Sequence, residues 1–305
     1  MARATEDQGL VELAGQAAGH PGMLTTADGS LLHKQSLPQE VSFYEAVQAR
    51  HLATADPLAP FLPAYYGQRP SSTISQGDNT ANEQQSTGTT TIVIANALHG
   101  LRHPSVLDVK MATQQYEDDA SEAKKQRLTE RARDTTSTRF GFRVAGMLLR
   151  VGAADSVRVE KPEAYRITPA LCPAYLRRFL PDPTTAADGF GDALLGWIIR
   201  DLYALHAALE GRDVYFIGAS LLLVYEGNVT TANERWAEYL AAGPAERPAV
   251  EATLYRFNVI DFGHSYWAAN PTLLADFRFG LRNLAATLEQ IRAGHSFNME
   301  SILRD

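Results

Sequence analysis

The segment "PSVLDVKMA" (104–112) most constrains how this chain can fold. Val106, Leu107, Val109 and Met111 read as a buried strand, yet Asp108 and Lys110 interrupt it. Residues two apart in a strand project to the same face, so the carboxylate and the ammonium leave it together. Burying an unpaired charge is expensive. The two groups therefore pair with each other as a structural ion pair, or they face a polar cleft around which the chain is folded.

The flanking sequence supplies material for two lobes. "GMLTTADGSLLHKQ" (22–35) alternates apolar and polar residues about an "ADG" turn and predicts a hairpin. "LPQEVSFYEAVQARHL" places Pro38 in a first helical turn, with Val41, Tyr44 and Val47 at helical spacing. "FLPAYYG" reads as a short extended piece. Residues 69–91 are polar and almost without large apolar groups, so a flexible loop is predicted there. "TIVIANAL" then reads as a buried strand. Beyond residue 98 come the strand at 105–111 and a helix in "DASEAKKQRLTERARD", capped by Asp119 or Ser121. Strands follow in "RFGFRVAGMLLRV", "YFIGASLLLVYEG" and "YRFNVIDFGHSYW", and helices in "GDALLGWIIRDLYALHAAL" and "LADFRFGLRNLAATLEQIRAG". The pattern predicts an α+β fold with an N-terminal lobe at 1–98 and a larger C-terminal lobe at 99–305.

A formal net charge of -7 argues against general binding to nucleic acid or membrane surfaces, while leaving room for a local basic pocket. The one cysteine, Cys172, cannot form an internal disulfide, which points to a reducing compartment. It reads as a small packing residue. The first residues lack a signal-type apolar core, and no window reaches the ~18 apolar residues of a membrane span. The expected location is cytoplasm or nucleus.

Four features share one chemical logic. Lys34 ends a strand and Glu40 opens the next helix, an arrangement that holds a cation on nucleotide phosphates; a surface lysine is the bland alternative. Asp108 and Lys110 suit nucleotide hydroxyls or the reacting hydroxyl, and a transferring phosphate. Lys124, Arg127 and Arg131 fall on one helical face by steps of three and four. That face is either solvated or holds an anion. "VIDFGHS" (259–265) delivers Asp261 from an apolar strand, as in the metal-binding Asp-Phe-Gly of kinases, with His264 three residues on. Taken in order these describe a two-lobe phosphotransferase. The sequence has no GxxxxGK[ST] loop and no His-Arg-Asp catalytic loop, which sets aside P-loop enzymes and protein kinases.

Here the chain resembles the inositol polyphosphate kinase family. "PSVLDVKMA" is similar to that family's P-x-x-x-D-x-K-x-G signature, "GASLLLVYEG" to its Ser-Leu-Leu segment and "VIDFGHS" to its Ile-Asp-Phe segment. "QAAGHPG", "QEVSFYEA", "FLPAYYG", "TTSTRFGFRVAGM" and "FGLRNL" match in order. The "AGH" start, "DASEAKKQR…TTST" and "YEG…ERW" resemble the fungal-type multikinase subgroup. "GASLLLVYEG" and "DDAS" also resemble the inositol hexakisphosphate kinases.

The resemblance implies a two-lobe protein-kinase-like fold with a short helical substrate-binding segment. It implies transfer of the ATP γ-phosphate to inositol tris- or tetrakisphosphates with magnesium. A hexakisphosphate kinase making pyrophosphates and a non-catalytic inositol phosphate-binding scaffold are the rival readings. It further implies that Lys34 contacts ATP phosphates, oriented by Glu40. Ala95 and Asn96 form the adenine hinge, where relatives usually carry Glu-Asp. Asp108 serves the ribose or the reacting centre, and Lys110 bridges substrate and transferring phosphate. Asp261 holds magnesium with help near Ser220. Lys124, Arg127, Arg131 and His264 grip the inositol phosphates. Some relatives also act as transcription-complex partners. Ala112 stands where the signature ends in glycine, a change that matters only if the position needs positive φ or close backbone approach.

Overall fold

The structure, a computed structural model, describes residues 9–13, 23–69, 90–151 and 155–294. The loop predicted at 69–91 lies outside the described residues except at its two ends. Strands β1 (Val11–Glu12), β2 (Leu24–Thr25), β3 (Leu31–Ser36), β4 (Tyr65–Arg69) and β5 (Thr90–Ala95) form one antiparallel sheet in the order β1-β2-β3-β5-β4. The predicted hairpin is its β2–β3 pair, with Leu24 opposite His33. Helix α1 (Pro38–Thr54) follows β3 with Pro38 in its first turn, where a missing N–H costs no helical hydrogen bond. It buries Val41, Tyr44 and Val47 as their spacing predicts, together with Phe43 and Glu40.

The rest of the chain supplies β6 (Pro104–Met111), β7 (Phe142–Val151), β8 (Asp155–Val159), β9 (Tyr215–Phe216), β10 (Ser220–Glu226), β11 (Tyr255–Ile260) and β12 (Ser265–Tyr266). A second antiparallel sheet runs β11-β10-β6-β7-β8, and β9 pairs with β12 as a small ribbon. β6 lies between β10 and β7, so both its neighbours are part of the site. Around this sheet lie α2 (Glu122–Asp134), α3 (Ser137–Phe140), α4 (Lys161–Ala164), α5 (Cys172–Phe179), α6 (Phe190–Ala208), α7 (Val229–Ala241), α8 (Arg247–Leu254) and α9 (Pro271–Arg292). Ser121 is the N-cap of α2, its hydroxyl accepting from the Lys124 amide. Helix α9 buries Leu274, Phe277, Leu281, Leu284, Leu288 and Ile291, a stripe of threes and fours that packs on α6 and the sheet. Cys172 is buried in the core, as its context suggests. None of the helices among the described residues is long and apolar enough to cross a membrane.

Two features set how the sheets meet. Phe262 is fully buried, stacks on Phe43 of α1 at 4.5 Å between centroids and meets Tyr44 edge-on at 5.3 Å. Burying a phenylalanine contributes about 1.5–3 kcal/mol, so the residue after Asp261 anchors that turn to the N-terminal helix. The linker between the sheets is fastened at both ends. The Asn96 side chain donates to the Gly29 carbonyl at 2.8 Å and accepts from the Leu98 amide at 3.0 Å. The fully buried Glu226 carboxylate accepts from the amides of Arg102 and His103, at 2.6 and 3.0 Å.

Candidate active site

The centre of the site is one carboxylate shared by two lysines. Lys34 leaves β3 and donates to Glu40 Oε1 at 2.8 Å and to Asp261 Oδ1 at 3.0 Å. Lys110 leaves β6, donates to the Gly218 carbonyl at 2.6 Å and lies 3.5 Å from Asp261 Oδ2. Glu40 is 3% exposed, and its Oε1 also accepts from the Phe262 amide at 3.2 Å. The helix glutamate thus orients the strand lysine and the Asp261 turn at once. Asp261 follows the end of β11 at φ +68, a left-handed conformation that aspartate tolerates better than most residues.

The electrostatics follow from that geometry. Burial works against the Asp261 charge. The fields of Lys34 and then Lys110, with their hydrogen bonds, outweigh burial and hold the carboxyl well below the usual carboxylate range. Burial likewise opposes the Lys34 charge, and Asp261 and Glu40 overcome it, raising the ammonium above its ordinary value. Asp108 is the opposite case. It is 6% exposed, its Oδ1 has no hydrogen-bond partner among the described residues, and burial raises its carboxyl against the pull of Lys110. The two strand charges of the opening segment therefore share a face as expected, but Lys110 pairs with Asp261.

The cross-strand register extends this row. Lys110 lies opposite Ser220 on β10 and Arg143 on β7, and Ser220 lies opposite Ile260, next to Asp261. Ser220 is fully buried beside Asp108, and its hydroxyl helps to keep that carboxyl charged against burial. After β6 the chain turns through Ala112 at φ +71, with its amide on the Gly141 carbonyl at 2.7 Å. The signature's last position is thus one that favours glycine, and an alanine occupies it. Gly141 and Gly280 make the close approach beside it, since a Cβ on Gly280 would sit about 2.2 Å from the Gly141 carbonyl oxygen. Asp276 of α9 then accepts from Thr113 N, Thr113 Oγ1 and Gln114 N, at 2.8, 2.9 and 3.1 Å, fastening the segment that leads to α2.

The predicted basic stripe divides. Lys124 and Arg131 are half-buried against the protein, whereas Arg127 is exposed. Arg131 lies over the Tyr165 ring, 4.7 Å from its centroid. His264 Nδ1 lies 3.0 Å from Glu117 Oε2, and Tyr266 donates to the other oxygen of the same carboxylate. Burial raises Glu117, and Tyr266 and then His264 reverse that and lower it overall. Glu117, Tyr266, Asp276, Arg143 and Tyr165 were not singled out from sequence. Only Arg143 offered a signal, as a charge inside the apolar run "RFGFRVAGM". At the hinge, Ala95 donates its amide to Ala64, and Asn96 spends its side chain on Gly29 and Leu98. The side-chain amide expected to face adenine is therefore engaged within the chain, and so are both main-chain amides, Asn96 N donating to the Ser30 carbonyl at 2.9 Å.

A strand lysine clamped by a helix glutamate, facing a turn aspartate across two antiparallel sheets, defines a two-lobe kinase-type phosphotransferase. Known proteins narrow the class. The model of the family "Inositol polyphosphate kinase" matches residues 91–289. The inositol polyphosphate multikinase of Saccharomyces cerevisiae is 27% identical over 263 residues, 72% of this chain and 73% of that protein. The Schizosaccharomyces pombe multikinase is 34% identical over 136 residues, and mouse inositol hexakisphosphate kinase 1 is 28% identical over 247. This chain spans about half the length of those two relatives, 49% and 51%. A crystal structure of the S. cerevisiae multikinase Ipk2 with ADP and Mn2+ superposes with a TM-score of 0.69 at 23% identity, covering 86% of this chain and 99% of that one. The chain belongs to the inositol polyphosphate kinase family.

Proposed function

We propose that this protein transfers the γ-phosphate of ATP to hydroxyls of inositol tris- and tetrakisphosphates, as an enzyme of multikinase type. The observation that carries the reading is the Asp261 carboxylate, kept ionised between Lys34 of one sheet and Lys110 of the other. The lobe division falls at about residue 98, with nucleotide held mainly by the first lobe and inositol phosphate by the second. Lys34, oriented by Glu40, contacts the nucleotide phosphates. The hinge at Ala95 and Asn96 lies against the base. Asp108 serves the ribose or the reacting hydroxyl, and Lys110 lies between the transferring phosphate and the substrate. Lys124, Arg127, Arg131 and His264 grip the phosphorylated ring. A polyanion of this kind suits several positioned cations, which neutralise charge and fix orientation.

The donor set fits magnesium. Among the described residues there is no group of three or more His, Cys, Asp or Glu side chains that could cage a metal. Magnesium in phosphotransferases takes one or two carboxylates plus phosphate oxygens and water. Asp261 would hold it, with the Ser220 hydroxyl nearby, opposite Ile260 in the register. Bound there, magnesium would neutralise charge building on the nucleotide phosphates.

Incubation with ATP-Mg and a panel of inositol phosphates, followed by chromatography of the products, tests the proposal. New, more highly phosphorylated inositols from a trisphosphate support it. Pyrophosphate products from the hexakisphosphate alone would reassign the substrate, and no ATP-dependent product from any member would refute it. Lys110→Ala abolishes turnover while the fold survives.

A further inference from the structure

Glu117 joins the segment leading into α2 to the turn that carries Asp261. Its two oxygens are used separately: Oε1 accepts from the Tyr266 hydroxyl, and Oε2 lies 3.0 Å from His264 Nδ1. Only an ionised carboxylate accepts at both oxygens. Burial opposes that charge, and the hydroxyl, the imidazole and Lys124 together outweigh burial. The main chain on both sides is fixed. Asp276 holds Thr113 and Gln114, Gln114 Nε2 donates to the Tyr116 carbonyl at 3.0 Å, and the Ala120 amide donates to the Glu117 carbonyl at 3.0 Å. The His264 carbonyl accepts from Ile217 N at 3.1 Å, and the Tyr266 ring stacks on Tyr215 of β9 at 5.2 Å. The His264 and Glu117 side chains are 37% and 24% exposed, and an ion pair so open to water contributes little stability. The contact is better explained by what it does to the imidazole.

An ionised carboxylate can only accept, so Nδ1 carries a proton whenever the pair is formed. That leaves Nε2, which has no hydrogen-bond partner among the described residues. When the ring takes up a second proton, Nε2 becomes a donor and the ring need not turn, because Nδ1 keeps its bond to Glu117. An imidazolium presenting one N–H at a fixed angle suits a phosphate oxygen. Resting on the proposed function above, we infer that Glu117 is a positioning residue of the inositol phosphate site. It sets the tautomer and ring plane of His264 and leaves Nε2 as the atom offered to the substrate. Tyr266 gives the carboxylate its second anchor, so the ring is aligned from the α2 segment and from the β9–β12 ribbon together. Glutamine cannot stand in for this residue. It has one oxygen, which the Tyr266 hydroxyl takes, and its amide NH2 then faces Nδ1, which must accept, moving the ring proton to Nε2.

Nitrogen-15 spectra of the histidine-labelled protein test this without turnover, the His264 signals being assigned by their loss in His264→Gln. At about pH 9, above the ordinary histidine range, the wild type carries the His264 proton on Nδ1 and Glu117→Gln carries it on Nε2. The same tautomer in both proteins, or a wild-type ring protonated on Nε2, overturns the assignment. Steady-state kinetics with an inositol trisphosphate read the consequence. Glu117→Gln raises KM for the inositol phosphate by about threefold to tenfold and leaves kcat and KM for ATP within about twofold. In the His264→Gln background the same change has no further effect, since Glu117 acts through the ring. An effect of equal size in that background, or one confined to kcat or to KM for ATP, also overturns it. Should Glu117→Gln not fold, Glu117→Asp withdraws the carboxylate from Nδ1 by one methylene. A tautomer and a KM unchanged from wild type then count against the proposal. Should the wild type turn over none of the inositol phosphates, the proposed function fails, and the tautomer still decides whether Glu117 sets the ring.

Discussion

Replacing Asp108 by asparagine is expected to stabilise the protein while ending its turnover. The carboxylate is buried, one of its oxygens has no partner among the described residues, and its surroundings raise its proton affinity. A carboxyl whose folded-state value exceeds its unfolded value destabilises the fold whenever it is ionised. A neutral side chain of the same shape removes that penalty. A buried unsatisfied polar group costs about 1–3 kcal/mol, and asparagine leaves an amide in the same place, so a net gain of about 1 kcal/mol is expected. For a chain this long that is about 2 °C in Tm. The pH dependence carries the sign. The penalty on the wild type is full above the raised folded value of Asp108 and gone below the unfolded value near 3.9. The Tm difference should therefore be largest near neutrality and close as the pH falls to about 4. Thermal melts of both proteins across that range, with turnover measured in parallel, are the assay. A variant that melts 2 °C or more below the wild type at neutral pH, or a gap that widens on acidification, would refute the reasoning.

Other substitutions separate the remaining effects. Asp261→Asn should abolish turnover and lower stability modestly, by about 1 kcal/mol at most because the side chain is 40% exposed. Its pH signature is opposite to that of Asp108. The folded value is depressed, so the wild type's advantage is present above the unfolded value and lost only in stronger acid. Glu40→Ala strips partners from Lys34 and from the Phe262 amide. With Asp261 still beside the lysine, a loss of about 3 kcal/mol is expected, visible as a Tm drop near 6 °C together with a raised KM for ATP. Ala112→Gly relieves a left-handed alanine by about 1–2 kcal/mol. It gives back about 0.5–1 kcal/mol in chain entropy and about 0.8 kcal/mol in the buried methyl. Denaturant titration should show a change within about 1 kcal/mol, and kcat should be unchanged.

What was legible in the sequence were short patterns with a strong local cause. Asp108 and Lys110 share a face because strands alternate, and the apolar run before Asp261 ends where its turn begins. The helix after Pro38 buries the residues its spacing selects. The short helices α4, α5, α7 and α8 were not foreseen, because segments of four to thirteen residues are settled by the surface they pack on. The site residues that escaped notice depend on distant partners. Glu117 matters because His264 and Tyr266 arrive beside it, and Asn96 is consumed because Gly29 of another strand pair lies within reach. The family signature was readable without its conformation. Only the backbone shows that Ala112 occupies a left-handed position, and only the Gly141–Gly280 approach explains why "FGLRNL" carries a glycine in mid-helix.

The carboxylate between Lys34 and Lys110 also has a bearing on how such a chain can change over generations. Its partners lie 227 and 151 positions away in sequence, one on each sheet. On the proposed function, losing that charge would both silence the reaction and slacken the seam between the halves of the molecule, so quality control in the cell would tend to remove many of the same variants that selection for activity removes. Drift toward an inert relative would then begin elsewhere, at positions such as Asp108, where giving up the proposed chemistry is expected to make the protein sturdier.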